Sequence, residues 1–544
     1  MKKYAYILAA LAALMACSKE VAQEEVVNPS EPGVNTVTFT ATIESPTKGT
    51  VANTGVFTWS DTDEIAVWTS SQKRTATATN ISDTYAEFTF TLGAGETIPS
   101  GAIVVYPASL LTAAGTVTFP TEYTAADAAK SNLALAAKVD GSALGFKYLG
   151  GVIEATITDV PAIATAIEVT STSVLTGEHT VSFTGAYPTM ATSSTAKKVT
   201  VTPAGGSNTI VLPLPTAANG QAITYTVKQS DTELFSRTAT KDVARGAYFK
   251  MANLTINPTV YIISNFTHWT YSNAYTMTGV GTTKSATLVS GVDKYYRYVV
   301  DYGSAQVDMG PSSDGSTALS ESFVNAANAS KISTYGCYDF TFDYTTNLNS
   351  VSASATNPQI YLAGTFQTPD AWQLNNDTPL TMVNNAEGYK VMNMAADSEL
   401  KAYTNAFWNA AFPNDNVVLD SANYYIIIAN GEKETVQGVY ADATSSSASS
   451  MTLKGSFDSW GAGLTMTKID SSPFWYVDVN WADETQFKFV KDGSTWMANG
   501  GGCYTSVSIT WSGDGNVILP AGKYRIIGSE NQGGYGSFAI LSLD

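Results

Sequence analysis

The sequence predicts an all-β protein built from several β-sandwich, immunoglobulin-like domains in tandem. Charged residues make up only 14% of the 544 residues. Threonine, serine, valine and tyrosine recur in short alternating runs, which are typical of strands, and a chain of this length usually forms several domains. The net charge of -18 argues against a nucleic-acid partner, because such partners require a basic surface.

The amino terminus predicts export followed by lipid anchoring. Residues 1–16 join two lysines to an apolar run that is too short to span a bilayer, as in a signal peptide. The segment LMAC at 14–17 resembles a lipobox, so we expect Cys17 to be lipidated and residues 17–34 to form a tether. This resemblance implies a bacterial outer-membrane lipoprotein, expected to face the cell exterior. The alternative is an ordinary signal peptide that contains a cysteine.

Residues 35–256 are predicted to hold two domains, at 35–142 and 143–256. The segments that suggest a family are WSDTDEIAV at 59–67, LGFKYLGGVI at 144–153 and VARGAYF at 243–249. They resemble the fimbrillins of Bacteroidetes, and the resemblance implies two successive β-sandwiches. Fimbrillins polymerise after proteolysis, but no clear arginine cleavage site stands in the early strands. We therefore expect this half to serve as a stalk.

Three repeats, each about as long as a domain, follow at 258–356, 358–446 and 449–544. Their openings are VYIISNFTHW from residue 260, IYLAGTF from 360 and LKGSFDSW from 453. Each repeat has a later strand with a basic residue, and these are Arg297, Lys401 and Lys488. Of the ten tryptophans, only Trp59 and Trp68 precede the repeats. The enrichment in tryptophan predicts a binding role for the second half of the chain.

These openings and basic positions resemble the carbohydrate-binding domains of the SusE and SusF starch-binding outer-membrane lipoproteins. The resemblance implies non-catalytic capture of α-glucan, meaning starch or maltooligosaccharide, between stacked aromatic rings. Basic and amide side chains would bind the hydroxyl groups, and glycan-uptake proteins would be partners. No cofactor and no metal are expected.

Strand parity separates core aromatics from site aromatics in the third repeat. Trp475 shares its face with valines and is predicted to be core, as are Phe487 and Phe489. Trp496 follows a turn and precedes a glycine run, so we expect it to be exposed. The predicted carbohydrate-binding residues are Trp460, Trp481, Lys488, Lys491, Trp496 and Asn499 in the third repeat, Trp372, Lys401 and Trp408 in the second, and Trp269 and Arg297 in the first.

An enzyme is not expected, because the chain has two histidines, His179 and His268, which fall in different predicted domains. This excludes histidine-based triads and histidine-rich metal sites. The alternative function is that of a fimbrial accessory subunit or adhesin whose terminal domains bind glycans or proteins. That alternative depends on residues 35–256, whereas the glycan-capture hypothesis depends on the tryptophan-bearing repeats.

Overall fold

The computed structural model describes residues 35–44, 58–129, 133–215, 218–264, 274–311, 319–320, 331–405, 411–441, 448–530 and 535–544. The predicted signal peptide, Cys17 and the tether lie outside these residues. The all-β prediction is confirmed, since nearly every element is a strand. Helical elements include one α-helical turn at Ala125–Ala128 and 3-10 turns at Ala108–Leu110 and Ser456–Asp458. Within the described residues, no helix is long and apolar enough to cross a membrane.

The first strands form a closed barrel in the order β1-β10-β9-β5-β2-β3-β4. Trp59 lies at its centre, 4% exposed, against Phe88, Tyr106 and Phe146. Strands β1 to β10 span Asn35–Ile43, Glu64–Trp68, Lys73–Ser82, Tyr85–Leu92, Ile103–Tyr106, Leu111–Ala113, Thr116–Phe119, Glu122–Thr124, Leu135–Lys138 and Ala143–Tyr148.

The next ten strands form sheets that interleave with the first set. Strand β7 pairs with β13, and β8 pairs with β15. Strand β10 begins directly after residue 142 yet pairs with β1 in the barrel, so the sheets cross the domain division that the sequence predicts there. Strands β11 to β20 span Gly151–Val160, Ala166–Ser171, Gly177–Thr184, Tyr187–Thr192, Lys198–Thr202, Gly206–Leu214, Ala218–Gln229, Thr232–Val243, Tyr248–Lys250 and Leu254–Thr255.

The three repeats, called here the first, second and third modules, each contain two facing sheets and a core of their own. In the first module, β21 to β29 span Thr259–Ser264, Tyr275–Thr276, Thr283–Ser290, Lys294–Asp301, Gln306–Pro311, Leu319–Ser320, Lys331–Ile332, Gly336–Asp343 and Leu348–Ala353. In the second, β30 to β36 span Tyr361–Gly364, Thr381–Met382, Glu387–Met394, Ser398–Tyr403, Phe412–Leu419, Asn423–Asn430 and Thr435–Ala441.

The third module has an outer sheet, β38-β37-β41-β45-β44 with β42 beside β41, and an inner sheet, β39-β40-β46-β47-β43. Strands β37 to β47 span Met451–Gly455, Leu464–Thr465, Thr467–Lys468, Trp475–Trp481, Thr485–Lys491, Thr495–Trp496, Ala498–Thr505, Thr510–Trp511, Val517–Leu519, Gly522–Glu530 and Tyr535–Ser542. Trp475, Phe487 and Phe489 are buried between the sheets, as strand parity predicts.

Strands β46 and β47 of the inner sheet are largely buried on both faces. The second face of this sheet packs against the second module, where Ile527 and Leu541 join Ile426 and Ile428 in one apolar cluster. Arg525 of the inner sheet reaches across, with its guanidinium 5.8 Å from the centre of the Tyr389 ring. The second and third modules therefore share a hydrophobic interface, in addition to their separate cores.

Candidate functional site

A tight bend places the first site residue, Trp460, beside the outer sheet of the third module. A side chain at Gly455 would collide with the Gln486 carbonyl, so only glycine fits this close approach. The Trp460 amide donates to the Gly455 carbonyl at 2.8 Å. The Asp458 carboxylate accepts from the Gly461 and Gly463 amides at 3.1 and 2.6 Å. Residues of the Gly-x-Phe-Asp-x-Trp motif therefore make the contacts that form this bend.

The bend holds two consecutive residues in the left-handed region, Ser459 with φ 57° and Trp460 with φ 64°. Residues other than glycine adopt this conformation at a cost, and such strain concentrates at functional sites. Trp372 of the second module has φ 62°, and its amide donates to the Gly364 carbonyl at 3.1 Å. In both modules, therefore, a tryptophan with positive φ donates its amide to the glycine that ends the first strand, through loops of different length.

Trp496 meets Trp460 on the solvent face of the outer sheet. In the register of this sheet, Lys454 opposes Lys488, and Val490 opposes Trp496. Opposed side chains lie on one face, and the neighbouring Phe487 and Phe489 point to the core. Trp496 follows a turn in which Asp492 and Gly493 have positive φ. The hairpin thus turns Trp496 outward while Met497 is buried.

We call Trp460, Trp496 and Lys454 the platform. The two indole rings are 6.0 Å apart between centroids and tilted by 47°. Trp496 is 48% exposed, and the Lys454 ammonium lies 5.8 Å from the centre of its ring. The platform offers an open apolar surface with a hydrogen-bond donor at its edge.

Two predicted site lysines of the third module make contacts within the module. Lys488 donates to the Asp514 carbonyl at 2.5 Å, and Lys491 forms a 2.6 Å ion pair with Glu530. These contacts give both lysines a role in holding strands and loops together. Asn499 lies in strand β43, but its side chain is outside the described part.

Trp481 lies in the hydrophobic core, whereas the sequence analysis predicts it to be a carbohydrate-binding residue. It is 9% exposed and stacks on Phe457 at 5.6 Å. Its cross-strand partner is Gly522, which has no side chain to displace the indole from the core. We therefore assign Trp481 to the hydrophobic core.

The basic residues of the three repeats occupy equivalent register positions. Arg297 opposes Ile263, Lys401 opposes Ala363 and Lys488 opposes Lys454. Arg297 forms a 3.0 Å ion pair with Asp308, and Lys401 donates to the Asn414 carbonyl. Each basic side chain therefore contacts a residue of its own module. These contacts explain, without invoking a ligand, why a basic residue recurs at this position in the three repeats. Trp269 and Trp408 lie outside the described residues.

Trp511 is an exposed tryptophan that the sequence analysis did not assign to any role. It is 45% exposed and packs edge-on against Phe538 at 5.9 Å. It opposes Val517, which in turn opposes the core residue Phe487. Trp511 therefore lies at the open edge of the sandwich and not on the platform face. Among the described side chains, no group of three or more His, Cys, Asp or Glu residues could hold a metal ion.

Comparisons with known proteins give low similarity throughout. No family model matches the chain, and no curated protein matches it. Among solved structures, SusF from Bacteroides thetaiotaomicron is 12% identical with a TM-score of 0.17, covering 72% of this chain and 100% of that one. Candidate cell adhesion proteins from Bacteroides uniformis and Bacteroides ovatus are 18% and 14% identical, with TM-scores of 0.25 and 0.23. Each covers 41% of this chain, and 94% and 93% of the respective structure.

Proposed function

We propose that this protein is a non-catalytic, lipid-anchored surface protein that captures glycan, with α-glucan as the preferred class. The observation that carries the proposal is the tilted pair formed by the half-buried Trp460 and the exposed Trp496. The C–H face of a pyranose ring is apolar and flat, and it matches an indole surface. Two indoles set at an angle fit two successive sugar units of a curved chain better than a flat sheet of polymer.

Lys454 gives the platform its polar contact. Its ammonium group has three donors, and it lies beside Trp496 on the same face as Lys488. A neutral polysaccharide offers hydroxyl oxygens to such donors and needs no compensating charge. This suits a chain with a net charge of -18, which would repel an acidic polysaccharide.

The second module supports the proposal through its own bend at Trp372. A shallow surface site binds weakly by itself, and two sites on one polymer raise the apparent affinity through effective concentration. Because the second and third modules share the apolar cluster of Ile426, Ile428, Ile527 and Leu541, they would present their two sites in a fixed arrangement.

The experiment is affinity electrophoresis of the full chain through gels with and without starch. The variant is Trp496→Ala, and its matched control is Trp511→Ala, because both indoles are about half exposed but only Trp496 belongs to the platform. We expect starch to retard the wild type and Trp511→Ala, and Trp496→Ala to migrate as if starch were absent. Equal retardation of the two variants would remove the platform from the function. Wild type that starch does not retard would favour the adhesin alternative.

A further inference from the structure

A cavity of about 550 Å³ lies in the first half of the chain, where the barrel meets the neighbouring sheets. This volume is within the range of small-molecule sites. Tyr106 and Leu133 line it from the core of the barrel. Leu110 comes from a second apolar cluster, and Tyr123 packs against the core of the sheets that follow. The cavity is therefore shaped by three packed cores that meet there.

Specific contacts hold the walls of this cavity in place. The Tyr106 hydroxyl donates to the Asp63 carboxylate at 2.8 Å. Strand β8, which contains Tyr123, pairs with strand β15. The Thr124 hydroxyl caps the α-helical turn by accepting from the Asp127 amide at 3.1 Å. The shape of the cavity therefore follows from the fold and does not depend on a ligand.

Tyr123 supplies a hydrogen-bond donor that the protein itself does not use. Burial raises the pKa of Tyr123 to about 12, so its hydroxyl is neutral and lies in a recess. Tyr123 is only half-buried, and its hydroxyl oxygen is not sealed from solvent. Within the described residues, this hydroxyl has no hydrogen-bond partner. A polar group in such a position binds water or a ligand, so Tyr123 offers its hydroxyl to a molecule that enters the cavity.

The rest of the lining combines apolar walls with a polar rim. The apolar walls include leucine and proline side chains, namely Leu110, Leu133, Pro107, Pro120 and Pro213. Ser109, Glu122 and Thr202 are exposed at the rim. The charged residues of the described lining, Glu122 and Asp127, are both acidic, which disfavours an anion. The lining therefore suits a neutral molecule that has a small apolar group, a hydrogen-bond acceptor near that group and several hydroxyl groups.

We propose that this cavity binds one N-acetylated hexosamine unit, either free or at the end of a glycan. The acetamido methyl group packs against Leu110 and Leu133, and the acetamido carbonyl accepts from the Tyr123 hydroxyl. The ring hydroxyl groups bind Ser109 and Glu122 at the rim. A sugar without the acetamido group would leave both the apolar walls and the Tyr123 donor without a partner. This site is separate from the platform, so it does not depend on α-glucan capture.

The test is saturation-transfer NMR of the full chain with the methyl glycosides of N-acetylglucosamine and N-acetylgalactosamine. The methyl glycoside of glucose is the matched control, because it differs from the first probe only at the acetamido group. We expect at least one N-acetylated probe to receive saturation, most strongly at the acetamido methyl group, because that group lies among apolar side chains. Excess maltoheptaose should not displace the probe, because the platform is a different site.

Three variants make the result decisive. Tyr123→Phe keeps the ring and removes the hydroxyl, so it should fold normally and weaken binding by roughly fivefold. Glu122→Gln changes an exposed residue of the rim and should weaken binding by a few-fold, whereas Trp496→Ala should leave binding unchanged. No saturation of either N-acetylated probe, equal saturation of the glucoside, displacement by maltoheptaose, or undiminished binding in Tyr123→Phe or Glu122→Gln would overturn the proposal.

Discussion

Two tryptophans, one from each half of the chain, occupy opposite environments. In the barrel, Trp59 is 4% exposed, its ring meets three aromatic rings edge-on at 5.0 to 5.5 Å, and its indole N–H donates to the Thr84 carbonyl at 3.2 Å. In the third module, Trp496 is 48% exposed, with the Trp460 ring 6.0 Å and the Lys454 ammonium 5.8 Å from its ring centre.

The difference comes from position within the sheet. Trp59 lies just before strand β2, and its ring enters an interior that a closed barrel surrounds on all sides. Trp496 belongs to a two-residue strand that pairs with β41 through Val490, on the face that no second sheet covers. Tryptophan content therefore indicates a binding surface only where the fold leaves the indole uncovered.

The largest expected effect is that of Trp59→Ala. Truncating a buried tryptophan removes its contacts and leaves a cavity, at a cost of about 3–5 kcal/mol. We expect the barrel to unfold at much lower urea concentration, while starch still retards the folded chain. Loss of starch binding in folded Trp59→Ala would show that the two halves do not act separately.

The second prediction concerns neighbouring isoleucines of strand β46 that face opposite ways. Ile526 belongs to the core of the third module, whereas Ile527 belongs to the interface with the second. Each alanine variant should cost about 2–5 kcal/mol. Only Ile527→Ala should also lower the hydrogen-exchange protection of strand β35 in the second module. Equal exchange in β35 for both variants would contradict the shared interface.

A smaller effect is the loss of stability that the first half of the chain should show as the pH falls. His179 is 1% exposed, with Nδ1 3.1 Å from the Gly177 carbonyl oxygen and its ring against Phe119. Burial lowers the pKa of His179. The pKa of His179 is therefore lower in the folded state than in the unfolded state. The neutral, buried imidazole contributes fully to stability above the unfolded pKa near 6.5, and this contribution decreases as the pH falls below that value.

Urea unfolding from about pH 7 to about pH 5 measures this change. The first half should lose stability, and His179→Phe should show a weaker pH dependence because it cannot bind the proton. The carboxylates titrate in both proteins, so the difference between them isolates the imidazole. Identical pH dependence in the two proteins would exclude His179 as its source.

The smallest expected effect distinguishes the roles of Lys454 and Lys488, which oppose each other on the platform face. Lys454→Ala should weaken glycan binding by a few-fold without changing stability, because one hydrogen-bond donor beside Trp496 is lost. Lys488→Ala should mainly lower stability, because its contact is with the Asp514 carbonyl. Binding and urea titrations of both variants measure the two effects, and the reverse pattern would assign Lys488 to the ligand.

Much of the fold follows from local patterns in the sequence. Alternation correctly separates Phe487 and Phe489 from Lys488, because a strand that is half buried exposes every second side chain. Alternation also puts Trp481 on the same face as Trp475, but Trp481 ends strand β40, and its burial depends on Gly522 in a strand about forty residues later. Contacts between distant strands are not visible in the alternation of one strand.

The sequence analysis did not predict the interface between the second and third modules, although the sequence contains a pattern that indicates it. The runs Ile426-Ile427-Ile428 and Phe538-Ala539-Ile540-Leu541 are apolar at every position, which is typical of strands that are buried on both faces. Their partner cannot be read from the runs themselves. One practical consequence is that residues 358–544 form a better fragment for study than 449–544, which would expose Phe474, Ile527 and Leu541.

The central claim is that Trp460 and Trp496 bind glycan together. Calorimetric titration of the full chain with maltoheptaose tests it, using wild type, Trp460→Ala, Trp496→Ala and the double variant. Each single change should cost about 1–2 kcal/mol of binding free energy. The double change should cost clearly less than the sum of the two single changes, because each indole binds the glycan well only when the other is present. Strictly additive losses, or a wild type that releases no binding heat, would contradict the account.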